Sequence, residues 1–112
     1  MINNTAIKQY KDVFGTEKMQ KLWQEFKQDS QHSLQKLNLN NKEEVRLVFH
    51  SLRSSSKVFG LDVFSQLCEE IEDKIIKEGF SSELVSLVKK ANQILLENIK
   101  EAEIFFSGDC NE

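Results

Sequence analysis

One histidine and three basic residues share one side of a predicted helix in this chain. At about 100° per residue around the helix axis, His50 points about 140° away from Val45, which is the first residue of the apolar stripe of this helix. Arg46, Arg53 and Lys57 fall within roughly 60° of His50, together with the hydroxyl of Ser54. Because like charges at this spacing repel one another, the cluster predicts that an anionic group lies beside His50.

An imidazole flanked by cations is suited to carrying a phosphoryl group. Imidazole titrates near neutral pH and is available as an uncharged nucleophile, and phosphoryl transfer depends mainly on positioning and charge stabilisation. We predict Arg53 to be the main phosphate partner, because it lies on the next turn and its planar guanidinium can bind two oxygens. Lys57 lies about 10 Å from His50 along the helix axis, so it is better placed to pair with a charge on a docked protein. Ser54 can donate a hydrogen bond to phosphate. Taken alone, an exposed histidine on a polar helix face is usually only a solvated surface residue.

The helix that carries His50 is predicted from its apolar periodicity. Asn40, followed three residues later by Glu43, resembles a capping signal at its start. Gly60 is predicted to end the helix in a left-handed conformation. The residues on its buried arc are Val45, Val48, Phe49, Leu52, Ser56 and Phe59.

Four further segments have helical periodicity, over about residues 5–14, 16–37, 61–79 and from Ser81 or Ser82 to Phe106. Thr16 is expected to cap the second helix. Helices of these lengths joined by short loops predict an all-α fold, namely an antiparallel up-and-down four-helix bundle with a short N-terminal helix. The bundle core is expected over about residues 16–106, with a frayed tail at 107–112.

Length and composition limit the function. The chain has 112 residues, 39% hydrophobic and 29% charged, with a formal net charge of -3. These values predict a single soluble domain over residues 1–112, too small to include a nucleotide-binding kinase and without the basic charge of a nucleic-acid-binding protein. The sequence has no apolar run of membrane-spanning length and no secretory signal at its start, so we expect a cytoplasmic protein.

The residues that usually hold metals or cofactors are sparse. There are two cysteines and two histidines, which support neither a disulfide framework nor a zinc site. Cys68 is expected on the apolar side of its helix and Cys110 in a polar tail, both reduced, and His32 is expected to be solvated. Seven aromatic residues at core spacing are interpreted as packing rather than a cofactor site: Trp23, Phe26, Phe49, Phe59, Phe64, Phe105 and Phe106.

The stretch Phe49–Gly60 resembles the motif of the histidine phosphotransfer (HPt) domain. That motif reads His, any residue, Leu, Lys or Arg, Gly, two small residues, three further positions and Gly. His50, Leu52, Arg53 and Gly60 match it, and so do the two serines that follow Ser54. Ser54 departs from the pattern, because most members have Gly there. The resemblance in pattern extends over roughly residues 16–106.

This resemblance implies a phosphorelay intermediate of two-component signalling. Such a protein accepts a phosphoryl group on its histidine, here His50, from the aspartate of a receiver domain, such as that of a hybrid histidine kinase. It then passes the group to the aspartate of a response regulator. The acceptor atom is expected to be Nε2, with Nδ1 held by a group that the sequence does not identify. The resemblance also implies a monomer without kinase activity or a cofactor of its own, because magnesium is bound by the receiver.

A receiver must contact the surface around His50, and Arg46, Leu47 and Ser51 are the predicted docking residues. Leu47 lies about 60° from His50 and off the core stripe, so it is either a hydrophobic contact or a scattered surface residue. A carrier must release its partners, which predicts a small interface and micromolar affinity. The alternative is a non-catalytic helical adaptor, or an inhibitor that docks on a receiver or kinase. An enzyme is disfavoured because no carboxylate pair, nucleophile-base pair or glycine-rich phosphate loop can be identified.

Overall fold

The chain folds into five α-helices in a computed structural model that describes residues 2–106, except for the side chain of Phe105. The helices are α1 (Asn4–Phe14), α2 (Thr16–Gln35), α3 (Lys42–Val58), α4 (Asp62–Glu78) and α5 (Ser82–Phe106). The described part contains no β-strand, which confirms the all-α prediction. None of these helices is long and apolar enough to cross a membrane. The predictions for Phe105, Cys110 and the tail at 107–112 lie outside the described residues.

The helices share one apolar core. Contacts join α2 to α3, α3 to α4, α4 to α5 and α5 back to α2, while α1 packs against α2 and α3. The predicted stripes face inward, and the buried aromatic residues include Trp23, Phe26, Phe49, Phe59, Phe64 and Phe106. Trp23 stacks on Phe106 with ring centroids 4.8 Å apart and meets the edge of Phe59 at 5.4 Å. Each such ring stabilises the fold by about 1.5–3 kcal/mol through burial, so the aromatic residues are core, as predicted.

Two predicted helix starts are wrong by one residue. Asn41, not Asn40, caps α3, because its extended backbone lets the side-chain oxygen accept a hydrogen bond from the amide of Glu44 at 3.1 Å. Gly15, not Thr16, precedes α2, and no side chain caps that helix. The start of α5 at Ser82 matches the prediction, and the hydroxyl oxygen of Ser81 accepts a hydrogen bond from the amide of Leu84 at 3.1 Å.

The turn between α3 and α4 is held by the N-terminal segment. Gly60 has a φ of +74°, and a Cβ at this position would overlap the carbonyl oxygen of Asn3. The amide of Asn3 donates to the carbonyl oxygen of Gly60 at 2.6 Å, and its side-chain amide donates to Asp62 at 2.9 Å. The predicted left-handed stop is therefore confirmed. The three-residue turn joins α3 to α4, and the packing of these two helices sets which α4 side chains reach His50.

Candidate functional site

His50 lies in the middle of α3, and its side chain is 52% exposed. Its ring points outward because Val45, Phe49 and Leu52, on the opposite arc of α3, are buried in the core. Nδ1 lies 2.8 Å from Oε2 of Glu72 on α4. Within residues 2–106, no hydrogen-bond partner is found for Nε2. The ring is thus anchored on one side and open on the other.

Glu72 determines which ring nitrogen carries the proton. When Glu72 is ionised, its carboxylate can only accept hydrogen bonds, and Nδ1 of His50 is then the donor in this contact. In the neutral ring, the lone pair then lies on Nε2, the nitrogen that is not held. The second carboxylate oxygen of Glu72 lies 3.4 Å from Nη1 of Arg53. At that distance the interaction is electrostatic rather than a well-formed hydrogen bond, and Glu72 links the histidine to the guanidinium.

Glu72 is a buried carboxylate, with only 6% of the residue exposed. A buried charge is destabilising unless it is paired, and His50 and Arg53 are its two partners. Its position follows from the close packing of α3 against α4. Ser65 lies two helical turns earlier on the same face of α4, where its hydroxyl donates to the carbonyl oxygen of Arg53 at 2.7 Å. Ser65 and Glu72 therefore fix α4 against the helix that carries the histidine.

Cys68 lies between Ser65 and Glu72 in the sequence and is buried with a free thiol. Burial raises its pKa from 9.0 to about 12, although the charge of Arg53 acts in the opposite direction. A thiol with such a pKa stays protonated at neutral pH and is a poor nucleophile. The prediction that Cys68 lies on the apolar side of α4 is confirmed.

The predicted basic cluster is present, but two of its three cations already have carboxylate partners. Arg46 donates to both carboxylate oxygens of Glu43, at 2.6 and 3.1 Å. These hydrogen bonds lower the pKa of Glu43 and raise that of Arg46. Arg53 faces Glu72, and only Lys57 has no ion pair with a described residue. The expected anionic neighbour of His50 is thus a carboxylate of the chain itself, and it comes from another helix.

The other predicted site residues lie on the surface around the histidine. Ser51 and Ser54 are exposed, and the side chain of Arg53 is 30% exposed, so its remaining donors are open to a ligand. Leu47 is 50% exposed, as its position off the core stripe predicts. His32 is exposed on α2 and takes no part in this site. Across residues 2–106, no three His, Cys, Asp or Glu side chains converge as a metal site would require.

Glu72 is the site residue that the sequence reasoning missed. It follows Ile71 and stands four residues after Cys68, at the edge of an otherwise apolar stripe. A carboxylate in such a position is unfavourable without a partner, and this was a usable signal. The sequence pattern alone does not show that the partner is a histidine 22 residues earlier, because that depends on how α3 and α4 pack.

The fold and the site together define an all-helical protein with an outward histidine held by a buried carboxylate. The Hpt domain family matches residues 21–102, which is most of the chain, and the chain therefore belongs to that family. This match confirms the resemblance drawn from Phe49–Gly60. Hpt domains serve phosphorelays as histidine phosphotransfer modules and interact with receiver domains. Comparison with curated proteins and with solved structures finds no match.

Proposed function

We propose that His50 accepts a phosphoryl group from the aspartyl phosphate of a receiver domain, such as that of a hybrid histidine kinase, and passes it to the aspartate of a response regulator. The observation that carries the proposal is the 2.8 Å contact between Nδ1 of His50 and the buried carboxylate of Glu72. This contact directs the lone pair of the neutral ring to the exposed nitrogen, Nε2. A nucleophile on an accessible surface is what a visiting receiver needs.

The proposed step begins with attack of the Nε2 lone pair on the phosphorus of the aspartyl phosphate. A P–N bond forms, the P–O bond to the aspartate breaks, and the carboxylate of the receiver leaves with the electron pair. The ring keeps its proton on Nδ1 and becomes positively charged as the bond forms. Glu72 stabilises that charge, since its carboxylate already accepts from Nδ1. Transfer to the second receiver reverses these steps, with a carboxylate oxygen of that receiver's aspartate attacking the phosphorus and the P–N bond breaking.

Basic and hydroxyl side chains next to His50 are proposed to stabilise the transferred phosphoryl group. Arg53 is on the next turn, and its exposed donors can bind phosphate oxygens while one end of the guanidinium stays near Glu72. Ser54 is exposed and can donate a hydrogen bond. Lys57 supplies a positive charge that no described carboxylate neutralises. Phosphoryl transfer depends mainly on such charge stabilisation.

The receiver is proposed to dock on the surface formed by Arg46, Leu47 and Ser51. Leu47 supplies apolar contact area on the turn before His50. The guanidinium of Arg46, held in place by Glu43, offers a fixed positive charge at the rim. We expect the contact area to be small, as in other transient complexes, because a carrier with two partners must release each of them.

Several further properties belong to the same proposal. The chain acts as a monomeric, cytoplasmic carrier without kinase activity or a cofactor of its own, and the receiver binds the magnesium ion. Residues 1–112 form a single domain. Helices α2 to α5 form an antiparallel up-and-down bundle, with α1 as an additional short helix. This arrangement is supported by the connections, which are short enough to reverse the chain between helices that contact each other.

The proposal is tested by incubating the chain with ³²P-labelled receiver domains from the genome that encodes it, each with magnesium. We expect label to move to the chain from at least one receiver, and the label to be lost in acid, as phosphohistidine requires. His50→Gln should abolish labelling. His32→Gln is the control, because it removes the other exposed histidine, which takes no part in the site, and it should leave labelling unchanged. Label that remains in His50→Gln, or a chain that no receiver labels, would favour the adaptor interpretation.

A further inference from the structure

A groove of about 620 Å³ runs between α2 and α3 beside the histidine. We propose that Glu25 and Asp29, on its α2 edge, select the receiver by binding basic residues of a receiver helix that docks in the groove. This inference rests on the proposed function and adds to it the residues that distinguish one receiver from another.

The groove exists because α2 and α3 pack loosely. The backbones of α2 and α3 approach each other closely over a shorter length than those of α3 and α4. Small side chains face the gap from both helices, including Ser30, Ser33, Ser51 and Ser55. They leave a channel that larger residues would close.

The floor of the groove is apolar. It is formed mainly by Leu22, Phe26, Val48 and Leu52. Phe26 and Leu52 also belong to the buried core, whereas Leu22 and Val48 are only partly buried. An amphipathic helix that lays its apolar stripe into such a channel would cover these side chains.

The two edges of the groove differ in charge. Glu25 and Asp29 are exposed and four residues apart on α2, so their carboxylates face the same side. Neither forms an ion pair or a hydrogen bond within residues 2–106. The α3 edge has no charge, since Leu47, Ser51 and Ser55 form it. Two unpaired carboxylates at this spacing repel one another, and cations one turn apart on a docked helix would remove that repulsion.

The groove is continuous with the surface around His50. Leu47 and Ser51 line the groove and are also the α3 residues that border the histidine on that side. On the opposite side of His50, Arg53 and Lys57 supply positive charge. A protein that covers both regions must present an acidic pocket to His50 and basic residues to the α2 edge. A receiver with a basic helix beside its aspartate pocket has this combination, and charge complementarity of this kind gives specificity.

The test uses the receiver that labels the wild-type chain fastest. Its dissociation constant is measured by calorimetry against chains that contain His50→Gln, so that docking is observed without transfer. Reversing the two charges with Glu25→Lys and Asp29→Lys should weaken binding about tenfold or more, and the weakening should shrink at high salt. The neutral pair Glu25→Gln and Asp29→Asn should have an intermediate effect. Glu70→Lys with Asp73→Lys is the matched control, because it reverses two exposed charges on α4, away from the groove, and should leave binding unchanged.

A second measurement separates docking from chemistry. Phosphoramidate, a small phosphoryl donor, should label His50 at the same rate in the wild-type chain and in the Glu25→Lys, Asp29→Lys chain. Receiver variants with glutamate in place of basic helix residues should bind that charge-reversed chain more tightly than the wild-type receiver does.

Three results would overturn the inference. Wild-type affinity in the charge-reversed chain, with transfer to the wild-type chain intact, would remove Glu25 and Asp29 from selection and leave the proposed function standing. A change in self-association without a change in receiver binding would make the groove a contact between copies of this chain. Failure of every receiver to label the wild-type chain would instead refute the proposed function, and the inference with it.

Discussion

Replacing Glu72 with glutamine should slow phosphoryl transfer to His50 while leaving the fold intact. Glutamine has nearly the same size as glutamate and keeps an oxygen that can accept from Nδ1, but it has no charge. In the wild-type chain, the carboxylate is 2.8 Å from the ring that becomes positive during attack. A hydrogen bond to a charged group contributes about 1.5–3 kcal/mol. The glutamine oxygen keeps a neutral hydrogen bond, which contributes about 0.5–1.5 kcal/mol, so the stabilisation lost is about 1–1.5 kcal/mol. At about 1.4 kcal/mol per tenfold change in rate, transfer should be about 5- to 10-fold slower.

The kinetic constants show whether Glu72 acts through the histidine. Because only 6% of the residue is exposed, it cannot contribute directly to the docking surface. The loss should therefore appear in the transfer rate at saturating phosphorylated receiver, with little change in the receiver concentration that gives half of that rate. The rate with phosphoramidate should fall by a similar factor, because no docking is involved there.

Controls separate this effect from unfolding. Glu70→Gln removes the same charge from an exposed position on α4 that has no contact with His50, and it should leave the rate unchanged. Thermal unfolding should be similar for both variants and the wild-type chain. A Glu72→Gln chain that transfers phosphoryl groups within about twofold of the wild-type rate, a difference under about 0.5 kcal/mol, would refute the proposed role of the carboxylate.

Three further predictions concern the residues around this site. The Arg53→Ala chain should fold normally, but its transfer rate or the lifetime of its phosphohistidine should fall by about tenfold. The control Lys77→Ala should change neither quantity. An unchanged rate and lifetime in Arg53→Ala would exclude Arg53 as a phosphate partner. Gly60→Ala should reduce the free energy of unfolding, measured in urea, by about 2 kcal/mol or more. Gly79→Ala should reduce it by less, because Gly60 and Gly79 both have a positive φ but only a Cβ at Gly60 would meet Asn3. Equal losses in the two variants would contradict the role of this contact. Burial makes the pKa of Cys68 higher in the folded chain than in the unfolded chain. Its contribution to the free energy of unfolding is therefore complete below pH 9 and is lost as the pH rises toward 12, at about 1.4 kcal/mol per pH unit. Cys68→Ala should flatten this alkaline slope of the unfolding free energy, and an unchanged slope would assign it to other groups.

Helical register explains why much of the site could be predicted from the sequence. Within one helix, the direction of each side chain follows from its position, so the outward orientation of His50 and Leu47 could be derived from the apolar residues of α3. The left-handed turn at Gly60 was predictable for a similar local reason. The pairing of Arg46 with Glu43, three residues apart, follows from the same rule, although the sequence analysis considered Arg46 only as a cation near His50 and a docking residue.

Contacts between helices could not be derived in this way. The approach of Glu72 to His50 depends on the rotation of α4 about its axis and its height along α3, which Ser65 and the turn at Gly60 set. The contact of Asn3 with that turn joins residues 57 positions apart. The groove between α2 and α3 arises from the spacing of two helices, and the pattern of either helix alone does not reveal it.

The central claim is that Glu72 holds Nδ1 of His50 and so leaves Nε2 as the phosphoryl acceptor. The most direct test is NMR of the phosphorylated chain with ¹⁵N-labelled histidine, in which coupling between ³¹P and ¹⁵N identifies the bonded nitrogen. We expect coupling to Nε2 and a hydrogen-bonded proton on Nδ1 of the same ring. Phosphorus bonded to Nδ1, or phosphorus on a residue other than His50, would contradict it.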